Sequence, residues 1–398
     1  MKTYKKIIAA MAVVSALGSS LCAEINPNDI NKKFGINFMA DANLWDDAAA
    51  DMTKRLGARF ESTKTEDSIV YATYAKGKVL SAAIEQMRIV EKNGKVAQVD
   101  MVFFNKGDSA DGKKWSQKMQ RQMNEQWKVI EGSLNSFAGD GANGTWGYGK
   151  VKNKAKIWHC ENMAFYLEFK PREFIILHII PPDAEASAGQ KAVAAADFDG
   201  KANVETGANG DVYIKNIPMV DQGPKGYCVP ATMERILKYY SIPDVDMHKI
   251  AAVCKTNVGG GTTISSVMKD FKNVCNTFKL RMAPVNGFTM NSISALVDKG
   301  IPVCWTLLST KPYTERMVAN TEKRQKEADF DSYISFIKDQ KKLPKLRDGA
   351  HICLIIGYNK KSKELAVSNS WGDSFAISWV RFDDAKTVSH NLFVISPR

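Results

Sequence analysis

No CxxC pair among the seven cysteines of this 398-residue, 44.1 kDa chain suggests a zinc or thioredoxin-type site, and seven are too few and too scattered to staple a fold. Any cysteine chemistry must rest on one thiol and its neighbours. Past the N-terminus no run approaches the roughly 18 apolar residues that a membrane-spanning helix needs. There is no stripe of Arg and Lys interleaved with aromatics either. The 55 Lys+Arg are dispersed among 43 Asp+Glu, so the formal charge of +12 reads as a basic, well-solvated surface suited to an anionic envelope, not as a nucleic-acid site. With 44% hydrophobic and 25% charged residues, disorder throughout is excluded, and the length implies two or three domains.

What is present begins with the three parts of a secretory signal: Lys2, Lys5 and Lys6, the apolar run 7–17, and a short segment ending in Ala23. That run is too short to span a bilayer well, so residues 1–23 read as a removed signal peptide and the chain as exported, periplasmic or extracellular. Lipid anchoring at Cys22 fits less well, because Leu21 stands where that signal wants a small residue. Six cysteines then remain in a setting where thiols oxidise. If one of them is a reactive thiol, five are left and at least one of those is unpaired.

Helix and strand signals alternate in the first half. Residues 44–56 read as a helix opened by Asn43, and 68–74, 79–90 and 96–104 as strands, the last two turned around Lys92-Asn-Gly. Trp115, Met119, Met123, Trp127, Ile130 and Leu134 make one apolar face of a helix over about 113–137. A Gly-rich loop, 139–149, precedes strands at 155–159, 164–169 and 174–180. This order predicts an α+β domain over 24–181, with two weakly similar halves and no repeat in sequence. Nothing in it marks chemistry: His159 and Cys160, adjacent on a strand, point to opposite faces. Residues 182–209, rich in Ala, Gly, Asp and Lys, read as a linker.

The second half, 210–398, carries the chemistry. Met233, Ile236, Leu237 and Tyr240 follow helical spacing, so a helix starts near Cys228, with Pro230 tolerated in its first turn. A thiol at a helix N-terminus meets exposed N–H groups and the positive end of the dipole, which predicts a lowered pKa. Gly223, Pro224 and Gly226 form a tight loop that brings Gln222 back over the thiol. Downstream, Gly349-Ala-His351 opens an apolar strand into Gly357-Tyr358, and a polar turn leads on to Asn369-Ser-Trp-Gly372. Positions 351 and 369 are symmetric about 360, inside that turn, which predicts a hairpin placing His351 and Asn369 opposite or nearly so, where an amide oxygen can hold the imidazole. Trp371 would cover that bond.

Gln222, Cys228, His351 and Asn369, in this order, resemble the papain-like cysteine peptidases over about half the chain. Val229-Pro-Ala231 after the thiol looks more like the bacterial double-glycine-leader, bacteriocin-processing relatives, which put Asp where Asn369 stands. The resemblance implies a papain-like α+β fold, a helical part followed by an antiparallel sheet, with peptide or protein as substrate and no cofactor or metal. It implies Cys228 as nucleophile and His351 as its base and the acid for the leaving amine. Asn369 would then orient His351, and Gln222 with the Cys228 backbone N–H would form the oxyanion hole. Acyl transfer by the same thiol, as in a transpeptidase or transglutaminase-like enzyme, and a non-catalytic binding protein on this fold are the alternatives.

His248 and His390 lack a polar orienter and read as structural. Gly260 and Gly261 offer a side-chain-free wall along which a substrate backbone can lie. Residues 311–347, charged with helical apolar spacing, are an insertion expected to cap one side of the cleft. For the first domain two roles are expected, a substrate-recruiting module or an inhibitory prosegment released by cutting in the linker.

Overall fold

The computed structural model describes residues 26–41, 43–64, 68–74, 76–108, 114–186, 198–242, 245–345 and 349–398. The segment read as a signal, with Cys22, lies outside these residues, as does 187–197.

In the first half, helices α1 (Pro27–Phe34) and α2 (Ala49–Leu56) precede strands β1 (Glu61–Lys64), β2 (Ile69–Thr73), β3 (Gly77–Val79), β4 (Ala82–Ile84), β5 (Gln86–Lys92) and β6 (Lys95–Asn105). Helix α3 (Gln117–Ala138) follows, then β7 (Ala142–Trp146), β8 (Asn153–Cys160), β9 (Met163–Lys170) and β10 (Phe174–Ile180). One eight-stranded antiparallel sheet runs β1-β2-β5-β6-β10-β9-β8-β7. It is two four-stranded meanders, each preceded by a helix, joined last strand to last strand at β6 and β10. The two-halves expectation thus has a structural counterpart that sequence identity does not reveal. Helix α3 buries Met119, Met123, Ile130 and Leu134 against the sheet, and Ser116 caps it by accepting the Met119 N–H. Its apolar stripe is the predicted one.

Three expectations change here. The stretch 79–90 is not one strand: Leu80 and Ser81 adopt φ of 51° and 65°, the left-handed pair of a tight hairpin turn between β3 and β4. Leu80 is apolar because it is buried in the core, and its N–H bonds the Phe34 carbonyl. The stretch 44–56 splits into a 3-10 turn at Leu44–Asp46 capped by Asn43, followed by α2. The Gly-rich loop 139–149 contains β7, an edge strand whose backbone pairs with β8 despite poor strand propensity.

The second sheet comprises β11 (Val204–Thr206), β12 (Asp211–Ile214), β13 (Leu280–Pro284), β14 (Val303–Leu308), β15 (Ala350–Asn359), β16 (Glu364–Ser368), β17 (Ser378–Arg381) and β18 (Ser389–Pro397). Its helices are α4 (Cys228–Tyr239), α5 (Met247–Val253), α6 (Ile264–Ser266), which runs through a π turn into α7 (Lys272–Thr277), α8 (Met290–Val297), α9 (Lys311–Lys326), α10 (Phe330–Lys338) and α11 (Phe382–Val388). Strand β15 is the spine. Residues 357–359 pair with both β12 and β16, and 354–355 with both β14 and β16, so β12 and β14 share one edge of β15 and β16 takes the other. Helix α4 packs on β15 and is buried along nearly its whole length. The late part of the stretch read as linker is built into this sheet: β11 pairs with β12, and Phe198 packs edge-on to Tyr239 and Tyr240.

Candidate active site

Cys228 is the first residue of α4, half-buried, with Pro230 in the turn where no N–H partner is needed. The N–H groups of Ile352, Val229 and Cys228 itself point at its sulfur, and Thr232, one turn on, bonds the Ile352 carbonyl at 3.5 Å. The thiol therefore lies against β15 at the residue beside His351. Burial pushes the Cys228 thiol above its ordinary pKa, and those N–H groups pull it down without prevailing. This corrects the expected lowering: the helix N-terminus acts as foreseen, but desolvation in this packed position is larger.

The His351 ring stacks on Trp371 with centroids 4.5 Å apart, and its Nε2 lies 3.0 Å from Asn369 Oδ1. Asn369 is buried, and its Nδ2 faces the Met317 sulfur at 3.8 Å, which leaves Oδ1 for the imidazole. Nε2 therefore carries the proton and Nδ1 is the unprotonated ring nitrogen. Burial lowers the His351 pKa to about 4, against the raising effect of the Asn369 bond. The two residues meet, but not by direct opposition. Leu354 faces Ser368, so continuing the register brings Asn369 level with Cys353, two residues along from His351. A bulge between Ile355 and Gly357 and the width of the turn shift the hairpin, and the imidazole spans the diagonal.

Gln222 is tied to the same loop. Its N–H bonds the Ser370 carbonyl at 3.0 Å, its Oε1 accepts the Ser370 hydroxyl at 2.8 Å, and its Nε2 donates to the Lys225 carbonyl at 3.0 Å. One Nε2–H remains for another acceptor. Gly260 forms a parallel bridge with Gly226, two residues before the thiol, and a Cβ on Gly260 would fall 2.5 Å from Gly226 Cα. Only glycine permits that approach, while Gly261 keeps an open, exposed face.

Two contributors were not foreseen. Ser370 lay inside the quoted Asn-Ser-Trp-Gly run without a role. Arg235, on the polar-looking side of α4, is fully buried; it donates to the Pro218 carbonyl at 2.7 Å and to the Ser368 carbonyl at 3.2 Å, pinning the residue before Asn369. No sequence signal marked it, because a charged residue on a helix reads as solvent-facing. His248 is buried, with its Nδ1 3.5 Å from Asp246, and His390 is exposed on β18; neither joins the site. On β8, His159 is exposed and Cys160 buried. The cysteines at 160, 228, 254, 275, 304 and 353 are all free thiols. Helices α9 and α10 occupy most of the described part of 311–347. Helix α9 packs on β17 and touches the site at Met317.

The structure thus places a thiol at a helix start, an imidazole bonded to an amide oxygen on one hairpin, and a glutamine amide tied both to that hairpin's end and to the loop before the thiol. The C-terminal half of this chain carries a cysteine-peptidase-type domain on an α+β fold. Residues 214–390 match the model of the Peptidase_C39-like family. None of the curated proteins compared with the chain matches it. Similar solved structures include the crystal structure of xylellain, a cysteine protease from Xylella fastidiosa, at 11% identity, 51% coverage of this chain, 90% coverage of that chain and a TM-score of 0.33. Among the described residues no helix is long and apolar enough to cross a membrane.

Proposed function

We propose that the protein is an exported cysteine peptidase that hydrolyses peptide bonds through a Cys228 thioester, with an N-terminal domain over 24–181 and the peptidase domain over 210–398. The observation that carries this reading is the 3.0 Å bond from His351 Nε2 to Asn369 Oδ1, which leaves Nδ1 free to act as base, on the strand against which α4 and its first residue Cys228 pack. The Cys228 sulfur attacks the carbonyl carbon as its proton passes to His351 Nδ1. Negative charge gathers on the carbonyl oxygen, where the free Nε2–H of Gln222 and the Cys228 backbone N–H receive it. The C–N bond breaks, the imidazolium gives its proton to the departing amine, and a thioester remains. Water then attacks the thioester while His351 takes its proton; the C–S bond breaks and the thiol re-forms. Trp371 over the imidazole keeps water from its bond to Asn369. The acyl part of the substrate lies along Gly260 and Gly261.

A thiol-directed epoxide probe and a quenched-fluorescent peptide library test this. The expected result is labelling at Cys228 that is lost in His351→Ala, with cleavage products carrying free carboxylates. No labelling under reducing conditions would leave a binding protein, and product joined to an added amine in preference to water would make the enzyme an acyl transferase. Mass analysis of the mature chain tests export, which requires a start near Glu24.

A further inference from the structure

The loop that carries Cys228 is held by the other half of the molecule. At the end of β6 the 3-10 turn Lys106–Asp108 points into the loop. The Asp108 carboxylate lies 2.8 Å from the Lys225 ammonium, with side chains only 10% and 1% exposed, and the same Oδ2 accepts the Asn105 amide at 2.8 Å. Asn105 in turn accepts the Tyr227 hydroxyl at 3.0 Å. Gly107 lies flat on the Tyr227 ring, where an added Cβ would fall 2.4 Å from a ring carbon. The Lys106 carbonyl accepts the Gly259 N–H at 3.4 Å, and the Tyr74 hydroxyl donates to the Asp221 carbonyl at 2.7 Å. Each contact that crosses between the halves falls on residues 221–227 or on Gly259, next to the glycine wall.

Lys225 connects the two systems. Its side chain belongs to Asp108, while its carbonyl holds the Gln222 amide at 3.0 Å. The next residue, Gly226, accepts the Gly261 N–H at 2.8 Å. The order of support is therefore first-half carboxylate, buried ammonium, backbone carbonyl, glutamine amide. A buried ammonium without a partner is costly, so the ion pair fixes where the Lys225 backbone sits.

We infer that the N-terminal half is a built-in activating element of the peptidase, with Asp108 and Asn105 as positioning residues for the oxyanion hole. This rests on the reading of Gln222 as an oxyanion donor. It differs from both roles expected of the first half, because a released prosegment would take the support of the nucleophile loop away with it.

Iodoacetamide alkylates a thiol without forming an oxyanion, so it separates loop support from loss of the nucleophile. The test uses the full chain, the library peptide it cleaves best, and the variants Asp108→Asn and Tyr227→Phe. Removing an oxyanion-hole donor outright costs about 10²- to 10³-fold. Loosening one should lower kcat about tenfold in Asp108→Asn, with KM and the alkylation rate of Cys228 within about twofold of wild type. Tyr227→Phe keeps the ring on Gly107 and should show the same split to a smaller degree. Hydrolysis unchanged in both variants overturns the inference, as does hydrolysis falling in step with alkylation. A wild-type chain that is alkylated but cleaves no peptide overturns the peptidase reading itself, and this inference with it.

Discussion

At Cys228 and His351 burial drives both groups toward their neutral forms. The thiol is pushed up and the imidazole down to about 4, so at neutral pH both groups are uncharged. The sign of the pH dependence follows. His351 accepts the proton only when unprotonated, and it stays so until pH falls through about 4 instead of the ordinary value near 6.5. Cleavage should therefore persist at pH 5 and be lost close to 4. In His351→Ala the thiol must ionise unaided, and alkylation should rise only above the ordinary thiol range of about 8.5. Iodoacetamide rates across pH for both proteins check this, and a wild-type acid limb near 6.5 would contradict it. Asn369→Ala strands the buried Nε2–H of His351. The expected loss in kcat is on the order of 10²-fold, the low end of what a positioned acid–base group contributes, with the epoxide probe still reaching Cys228.

Among the elements, α9 belongs to the framework of the second sheet as well as to the inserted segment. Arg324 lies 3.9 Å over the Trp379 ring, donates to Asp211 of β12 at 2.6 Å and to Glu364 of β16 at 3.3 Å, and its side chain is 8% exposed. Glu364 is fully buried. Arg324→Ala leaves two carboxylates without their cation, so we expect a loss of roughly 3–5 kcal/mol in urea unfolding. A change below about 1 kcal/mol, the scale of a surface pair, would mean that α9 is peripheral. The same segment shows what sequence conveys about elements. Helices α3 and α4 and strand β15 were legible because each has a long apolar pattern with one period. Strands β7 and β11 were not, because edge strands are held by backbone pairing and tolerate Gly, Asn and Glu. The His351 to Asn369 pairing was legible in kind but displaced in register, since a symmetric hairpin has no place for the bulge after Ile355. Arg235 and Ser370 were invisible for another reason: polar residues read as surface until the helix or loop carrying them is seen to be buried.

For the whole molecule, the contact between the two halves is built from buried charge. Arg88 of β5 lies 3.1 Å from both Asp100 of β6 and Asp246, and 3.6 Å from Glu234 of α4. Lys249 of α5 reaches Glu168 of β9 at 3.5 Å. Between them His178 bridges Asp100 at 2.8 Å and Glu168 at 2.9 Å, stacked 4.3 Å from the Trp146 ring. Burial alone would lower the His178 pKa, but the Asp100 and Glu168 carboxylates outweigh it and the net shift is upward, while Asp100 is lowered to about 2. A raised histidine contributes stability that is complete below its unfolded value near 6.5 and is lost as pH rises through the folded one. A lowered aspartate contributes stability above about 3.9 that is lost as pH falls through about 2. The cluster is therefore strongest between about 4 and 6.5 and weakens toward alkali. Because it spans both halves, the weakening should show in their association. With a protease site engineered between Ala186 and Phe198 and cut, the two fragments should co-elute at pH 6 and separate more readily at pH 9, and His178→Gln should reduce that pH dependence. Fragments that part at pH 6 and leave a more active C-terminal half would instead restore the inhibitory prosegment.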